Sequence, residues 1–113
     1  MATQAQATRE QGNFRNWRVE NDLDGIAWLY LDREGEKVNS LSRDVLTELG
    51  EIIDQFETSP PTGMVLMSGK PGSFIVGADV REFDQTRDIS VLREGVSHVH
   101  ELFRRIEKLR FPK

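Results

Sequence analysis

Few residues in this chain have the type and spacing to do chemistry. There is no cysteine, which excludes a thiolate nucleophile, a thiolate metal site and a disulfide framework. His98 and His100 are the only histidines. Two positions apart on a helical pattern, they point to different faces and cannot share a metal ion. His98 and Glu101 do share a face, but with no third ligand near them a solvated helix surface is the stronger reading. Asp32, Glu34 and Glu36 fall in the charged run D-R-E-G-E-K, which reads as a solvated turn rather than a buried general acid and base. Gly63, Gly69 and Lys70 only approximate a phosphate loop. Five residues separate the two glycines where that pattern has four, and Pro71 stands where it has Ser or Thr. Gly72 and Gly77 do not complete a dinucleotide-binding glycine motif.

The segment F-I-V-G-A-D-V-R-E-F, Phe74 to Phe83, is more informative. An apolar strand end turns through Gly77-Ala78 into a helix start, where Asp79 and Glu82 have the spacing of a reciprocal cap. Free N–H groups and the positive end of the helix dipole meet there. Gly77 would let a ligand approach the backbone closely. Such a turn can hold a developing oxyanion. On residue types alone, a purely structural strand-to-helix turn is the stronger of the two readings.

The elements that must position this turn follow from periodicity. Trp17 and Val19 alternate with charged residues. Ile26 to Leu31 is a nearly continuous apolar run, and Asp24-Gly25 between them signals a tight turn. Together they predict a β-hairpin with a more deeply buried second strand. Leu41, Val45, Leu49, Ile52 and Phe56 recur at helical intervals, widened by Leu46 and Ile53. Ser42 is the expected N-cap, and Ser59-Pro60-Pro61 stops the helix. Gly63 to Met67 predicts a short central strand, parallel to its neighbour, and Phe74 to Val76 another short strand. From Ser90 a last helix is expected, with its stripe on Leu92, Val96, Val99, Phe103, Ile106 and Leu109. The basic residues Arg104, Arg105, Lys108 and Arg110 suit its C-terminal end. Strands and helices in this order predict an α/β layer fold. So small a sheet would leave an exposed edge, and the element order reads as the first half of a larger unit.

The 113 residues suffice for one domain or a piece of one. A net charge of −4 gives no basic footprint for general nucleic-acid binding. No apolar run approaches the roughly 20 residues of a membrane helix. Residues 1–13 are polar, without the apolar stretch of a secretory signal, and with a single Arg they do not suit an organelle-targeting helix. They read as a disordered leader. The absence of cysteine fits a reducing compartment, and a cytoplasmic location is expected.

The run F-I-V-G-A-D-V closely resembles the signature of the crotonase (enoyl-CoA hydratase/isomerase) superfamily. V-N-S-L-S at residues 38–42 resembles the family's upstream segment, at the right separation. W-R-V-E-N-D-L-D-G-I-A-W-L-Y-L-D and S-G-K-P-G-S-F-I-V-G-A-D are most similar to the amino-terminal hydratase domain of fatty-acid oxidation α subunits, multifunctional enzymes that also carry a 3-hydroxyacyl-CoA dehydrogenase domain. The resemblance covers residues 14–113.

That resemblance implies a crotonase-like (ClpP/crotonase) α/β fold, here its N-terminal portion: a β-hairpin followed by βα units. It implies fatty-acid β-oxidation, by hydration of a 2-enoyl-CoA to a 3-hydroxyacyl-CoA, with acyl-CoA as substrate. The residue matching Ala78 gives one of the two backbone N–H groups that hold the thioester carbonyl. Gly77 allows the close approach and Asp79 caps the next helix. Asn39, Ser40 and Leu41 match the stretch whose backbone runs beside the CoA moiety. Lys37 and Lys70 lie where a cation could meet CoA phosphates, although a solvated loop lysine is the stronger reading of each. No cofactor or metal is expected within this chain; NAD would belong to a downstream dehydrogenase domain. A homo-oligomer or a thiolase β subunit would be the partner of the complete protein. The family's second oxyanion glycine and two catalytic glutamates match positions C-terminal to Lys113, so the chain by itself is expected to be inactive. The rival reading is a non-catalytic acyl-CoA-binding or subunit-interaction remnant.

Overall fold

The computed structural model describes residues 9–10, 14–77 and 88–113. Six elements run in the order β1 (Arg9–Glu10), β2 (Trp17–Asn21), β3 (Ile26–Leu31), α1 (Arg43–Thr58), β4 (Gly63–Ser68) and α2 (Ile89–Lys108). The strands form one sheet in the order β1-β2-β3-β4. Strand β1 lies inside the segment read as a disordered leader. It pairs antiparallel with β2 through Arg9↔Asn21 and Glu10↔Glu20. Backbone pairing of this kind needs no apolar side chain, which is why composition did not signal it.

The hairpin forms as expected, with β2 and β3 antiparallel from Trp17↔Leu31 to Asn21↔Ala27. Its turn is organised by the Asp22 carboxylate. One oxygen accepts from the Asp24 and Ile26 N–H groups at 2.9 and 3.0 Å, and the other from the Trp28 indole N–H at 2.9 Å. Gly25 completes the turn at φ 80°, where a side chain would be strained. Strand β3 is not buried throughout. Ala27, Leu29 and Leu31 are buried, while Ile26, Trp28 and Tyr30 are half-buried. The first set joins the core beneath α1, and on the other face the Arg18 guanidinium sits 4.2 Å from the centre of the Tyr30 ring.

Helix α1 starts where the sequence places it. The Ser42 hydroxyl accepts from the Val45 N–H at 3.2 Å, and Asp44 lies in the first turn. Its apolar stripe (Val45, Leu46, Leu49, Ile52, Ile53, Phe56) forms the middle of the core with Trp17, Val19 and the buried face of β3. The Trp17 indole, buried in that core, donates to the Val45 carbonyl at 2.9 Å, so its polar atom is satisfied.

The crossover through α1 brings β4 parallel to β3, from Ile26↔Gly63 to Leu31↔Ser68. The expected central placement of β4 is corrected. Among the described residues it pairs with β3 alone and ends the sheet, and Leu66 and Met67 are exposed. The expected strand at Phe74 to Val76 is also corrected: these residues form no strand, because their backbone is held by the loop around Asn39, described below.

Helix α2 packs on α1. Its buried residue is Leu102, outside the expected stripe, while Val96 and Phe103 of that stripe are exposed. Leu92, Val99 and Ile106 are half-buried and Leu109 is buried. The apolar residues of the helix form one broad arc, and α1 covers the side of it that carries Leu102. Arg105 ties the helices together, donating to Glu57 at 2.7 Å and also to Asp54. The Glu57 and Asp54 carboxylates hold the Arg105 guanidinium above its ordinary pKa. Beyond α2 the chain returns to the sheet. The Met64 N–H donates to the Pro112 carbonyl at 2.9 Å, and Phe111 meets Phe56 edge-on at 6.0 Å.

Candidate functional site

Asn39 is the organising residue of the C-terminal end of the sheet. It is fully buried in a loop, where an asparagine carboxamide must find partners for both donors and its acceptor. Its Nδ2 donates to the Leu31 carbonyl at 2.7 Å, the Ser68 hydroxyl at 3.0 Å and the Phe74 carbonyl at 3.1 Å. Its Oδ1 accepts from the Arg33 N–H at 2.9 Å. One side chain thus joins the ends of β3 and β4 to the segment that begins at Phe74. The backbone continues the join. The Val76 N–H donates to the Asn39 carbonyl at 2.9 Å, and the Leu41 N–H donates to the Gly77 carbonyl at 2.7 Å.

Gly77 has φ 127°, and a Cβ built there meets no heavy atom within 4 Å. Glycine is required by backbone conformation rather than by crowding, and its Cα faces open space among the described residues. Ala78 and Asp79 lie outside the described residues, as does Glu82 of the anticipated cap.

The other sequence-predicted positions separate clearly. Ser40 is buried and its hydroxyl accepts from the Arg33 guanidinium; Leu41 is half-buried against the core. Asn39, Ser40, Leu41 and Gly77 are therefore brought together. Lys37 is exposed. The Lys70 side chain is only 9% exposed and its Nζ lies 2.7 Å from Asp32 Oδ1, so it is neither a solvated loop lysine nor an unpaired cation. Gly69 closes that corner, since a Cβ there would come within 2.9 Å of the Asp32 Cβ.

Residue types alone did not single out Ser68, which accepts from Asn39 and from the Lys70 N–H at 3.0 Å each. Nor did they single out Asn16, whose side chain and N–H both donate to the Glu48 carboxylate. The available signal for the first was a lone Asn in the otherwise apolar and small V-N-S-L-S, since such a residue needs several partners once buried. Among the described residues no group of three His, Asp or Glu side chains could hold a metal ion, and no helix is long and apolar enough to cross a membrane.

A hairpin is thus extended by a parallel βαβ crossover, with the Gly77 segment held at the ends of the parallel strands. Residues 22–112 match the enoyl-CoA hydratase/isomerase family, and the chain belongs to that family. Among curated relatives, the fatty acid oxidation complex subunit alpha of Idiomarina loihiensis is 36% identical over 94 residues, covering 79% of this chain. That of Vibrio campbellii is 37% identical over 80% of this chain. The matched part spans 13% of the length of each of these relatives. Among solved structures, an enoyl-CoA hydratase from Bacillus anthracis superimposes with a TM-score of 0.75 at 28% identity, covering 86% of this chain and 37% of its own. An enoyl-CoA hydratase from Mycobacterium smegmatis gives 0.78 at 20% identity, over 86% and 37% of the two chains, a likeness of fold. The fold is crotonase-like.

Proposed function

We propose that this chain carries the thioester-binding half of an enoyl-CoA hydratase site that serves fatty-acid β-oxidation. The reaction is reversible addition of water across the 2,3 double bond of an enoyl-CoA: hydroxyl to C3, proton to C2. In this reading the N–H of Ala78 donates to the thioester oxygen as negative charge develops on it, with Gly77 giving room for approach. The Asn39–Leu41 backbone lies beside the CoA moiety, and Lys37, exposed and near that loop in sequence, meets its phosphates. Lys70, paired with Asp32, would have to exchange that partner to do the same. General acid–base chemistry falls to two glutamates that the resemblance places C-terminal to Lys113. In the whole protein it also assigns NAD to a downstream dehydrogenase domain, and a thiolase β subunit or a second copy as partner.

One observation carries the reading: in a chain whose family match spans residues 22–112, Gly77 is held at φ 127° on the Asn39–Leu41 loop by a 2.7 Å hydrogen bond. The test compares Ala78→Gly with Ala78→Pro in the full-length gene product. If only the backbone donor matters, Ala78→Gly keeps most of the hydration of crotonyl-CoA. Ala78→Pro, lacking the N–H, loses about 10²–10³-fold in turnover. A folded Ala78→Pro protein with near-normal turnover would remove Ala78 from the site. Binding of acyl-CoA without turnover by the wild-type full-length protein would favour the non-catalytic reading instead.

A further inference from the structure

We propose that Asn39 is a positioning residue: its carboxamide fixes the 74–77 segment on the ends of β3 and β4 and so sets the direction of the peptide that follows Gly77. The side chain is fully buried, so its role is not ligand contact. Its three Nδ2 contacts need a donor and its Oδ1 contact with the Arg33 N–H needs an acceptor. A carboxamide offers an acceptor and a two-hydrogen donor on one small planar group. An aspartate would turn an oxygen toward three oxygens, and a glutamine would carry an extra methylene into a closed space.

The connection to Gly77 has two parallel links. Through the side chain, Asn39 holds the Phe74 carbonyl; through the backbone, its carbonyl holds the Val76 N–H. Next along the chain, the Leu41 N–H holds the Gly77 carbonyl at 2.7 Å. A peptide unit is planar, so anchoring the Gly77 carbonyl restrains the plane of the peptide bond to which it belongs. Gly77 at φ 127° has the widest conformational choice of any residue type, so its orientation must come from these neighbours. The catalytic consequence rests on the proposed function; the positioning does not.

The experiment uses the full-length gene product with Asn39→Asp, Asn39→Ala and the milder Ser68→Ala, which removes one partner of the carboxamide. Hydrogen exchange followed by mass spectrometry should show peptides over residues 74–77 exchanging at least about tenfold faster, with those over β3 unchanged. Turnover of crotonyl-CoA should fall about 10²-fold at nearly constant KM. The carbonyl stretch of a bound, ¹³C-labelled enoyl thioester should move back toward its free value. A merely structural role would lower the melting temperature while leaving that stretch and the kcat of the folded fraction unchanged. Unaltered exchange over 74–77 in folded Ser68→Ala and Asn39 variants overturns the proposal. If the wild-type protein neither polarises nor hydrates the thioester, the functional reading fails, and the exchange measurement still decides the role of Asn39.

Discussion

At the scale of single residues, short polar side chains stand in for regular structure wherever the chain turns. Asp22 accepts three hydrogen bonds across the β2–β3 turn, and Asn39 makes four around the loop before α1. The two differ in their response to pH. The Trp28 indole and then the Ile26 N–H hold the Asp22 carboxyl below its ordinary pKa, whereas a carboxamide does not titrate. A depressed folded-state value means that the stabilisation is complete above the unfolded value, about 3.9. It is lost as pH falls through the folded value. Asp22→Asn should therefore destabilise the protein at neutral pH and lose less of its stability on acidification. Urea midpoints of the two proteins, measured from about pH 6 downward, should converge at the acid end. Parallel curves through the acid range would rule out Asp22 as a contributor.

At the scale of elements, each boundary is set by a local device whose cost is separable. Gly25 combines two constraints. It sits at φ 80°, and a Cβ there would fall 2.6 Å from the Thr62 hydroxyl oxygen. Thr62 in turn donates its N–H to the Gly25 carbonyl at 2.9 Å, so the hairpin turn is also the landing point of the chain that enters β4. Gly25→Ala should cost about 1–2 kcal/mol from the left-handed backbone alone, with the steric contact added. Thr62→Ala in that background should recover the contact and not the backbone cost. Denaturant melts of the two single variants and the double variant measure the coupling. Simple additivity would show that the Thr62 contact relaxes freely.

At the scale of the whole molecule, the core is one-sided. Helix α1 covers one face of the sheet, while Leu66 and Met67 on β4, Phe74 and Val76 beyond it, and Val96 and Phe103 on α2 remain exposed. Exposed large apolar side chains favour association, and beyond the Met64 N–H, which donates to the Pro112 carbonyl, β4 has no further strand partner among the described residues. The 113-residue chain is expected to self-associate as its concentration rises. Leu66→Lys with Phe103→Glu should shift it toward monomer in sedimentation-velocity runs. Its unfolding free energy should change by no more than about 0.5 kcal/mol for each exposed position. A wild-type chain that sediments as a monomer at every concentration would contradict this.

The sequence by itself determined the elements whose signals are local. The Asp24-Gly25 turn, the Ser42 cap and the stripe from Val45 to Phe56 are periodicity and capping, readable within a few residues. The family, too, was legible in F-I-V-G-A-D-V and V-N-S-L-S, where Gly77 at φ 127° and the buried Asn39 each need their own residue type. Tertiary structure alone decided which apolar residues are covered. The stripe expected on α2 omits Leu102, and only docking on α1 selects that residue as the buried one. Burial of Lys70 against Asp32, 38 positions away, likewise has no local signal. The same holds for Asn39. Its residue type says that it needs several partners once buried. That those partners are Leu31, Ser68 and Phe74 depends on β3 and β4 ending side by side, a contact between segments far apart in the chain.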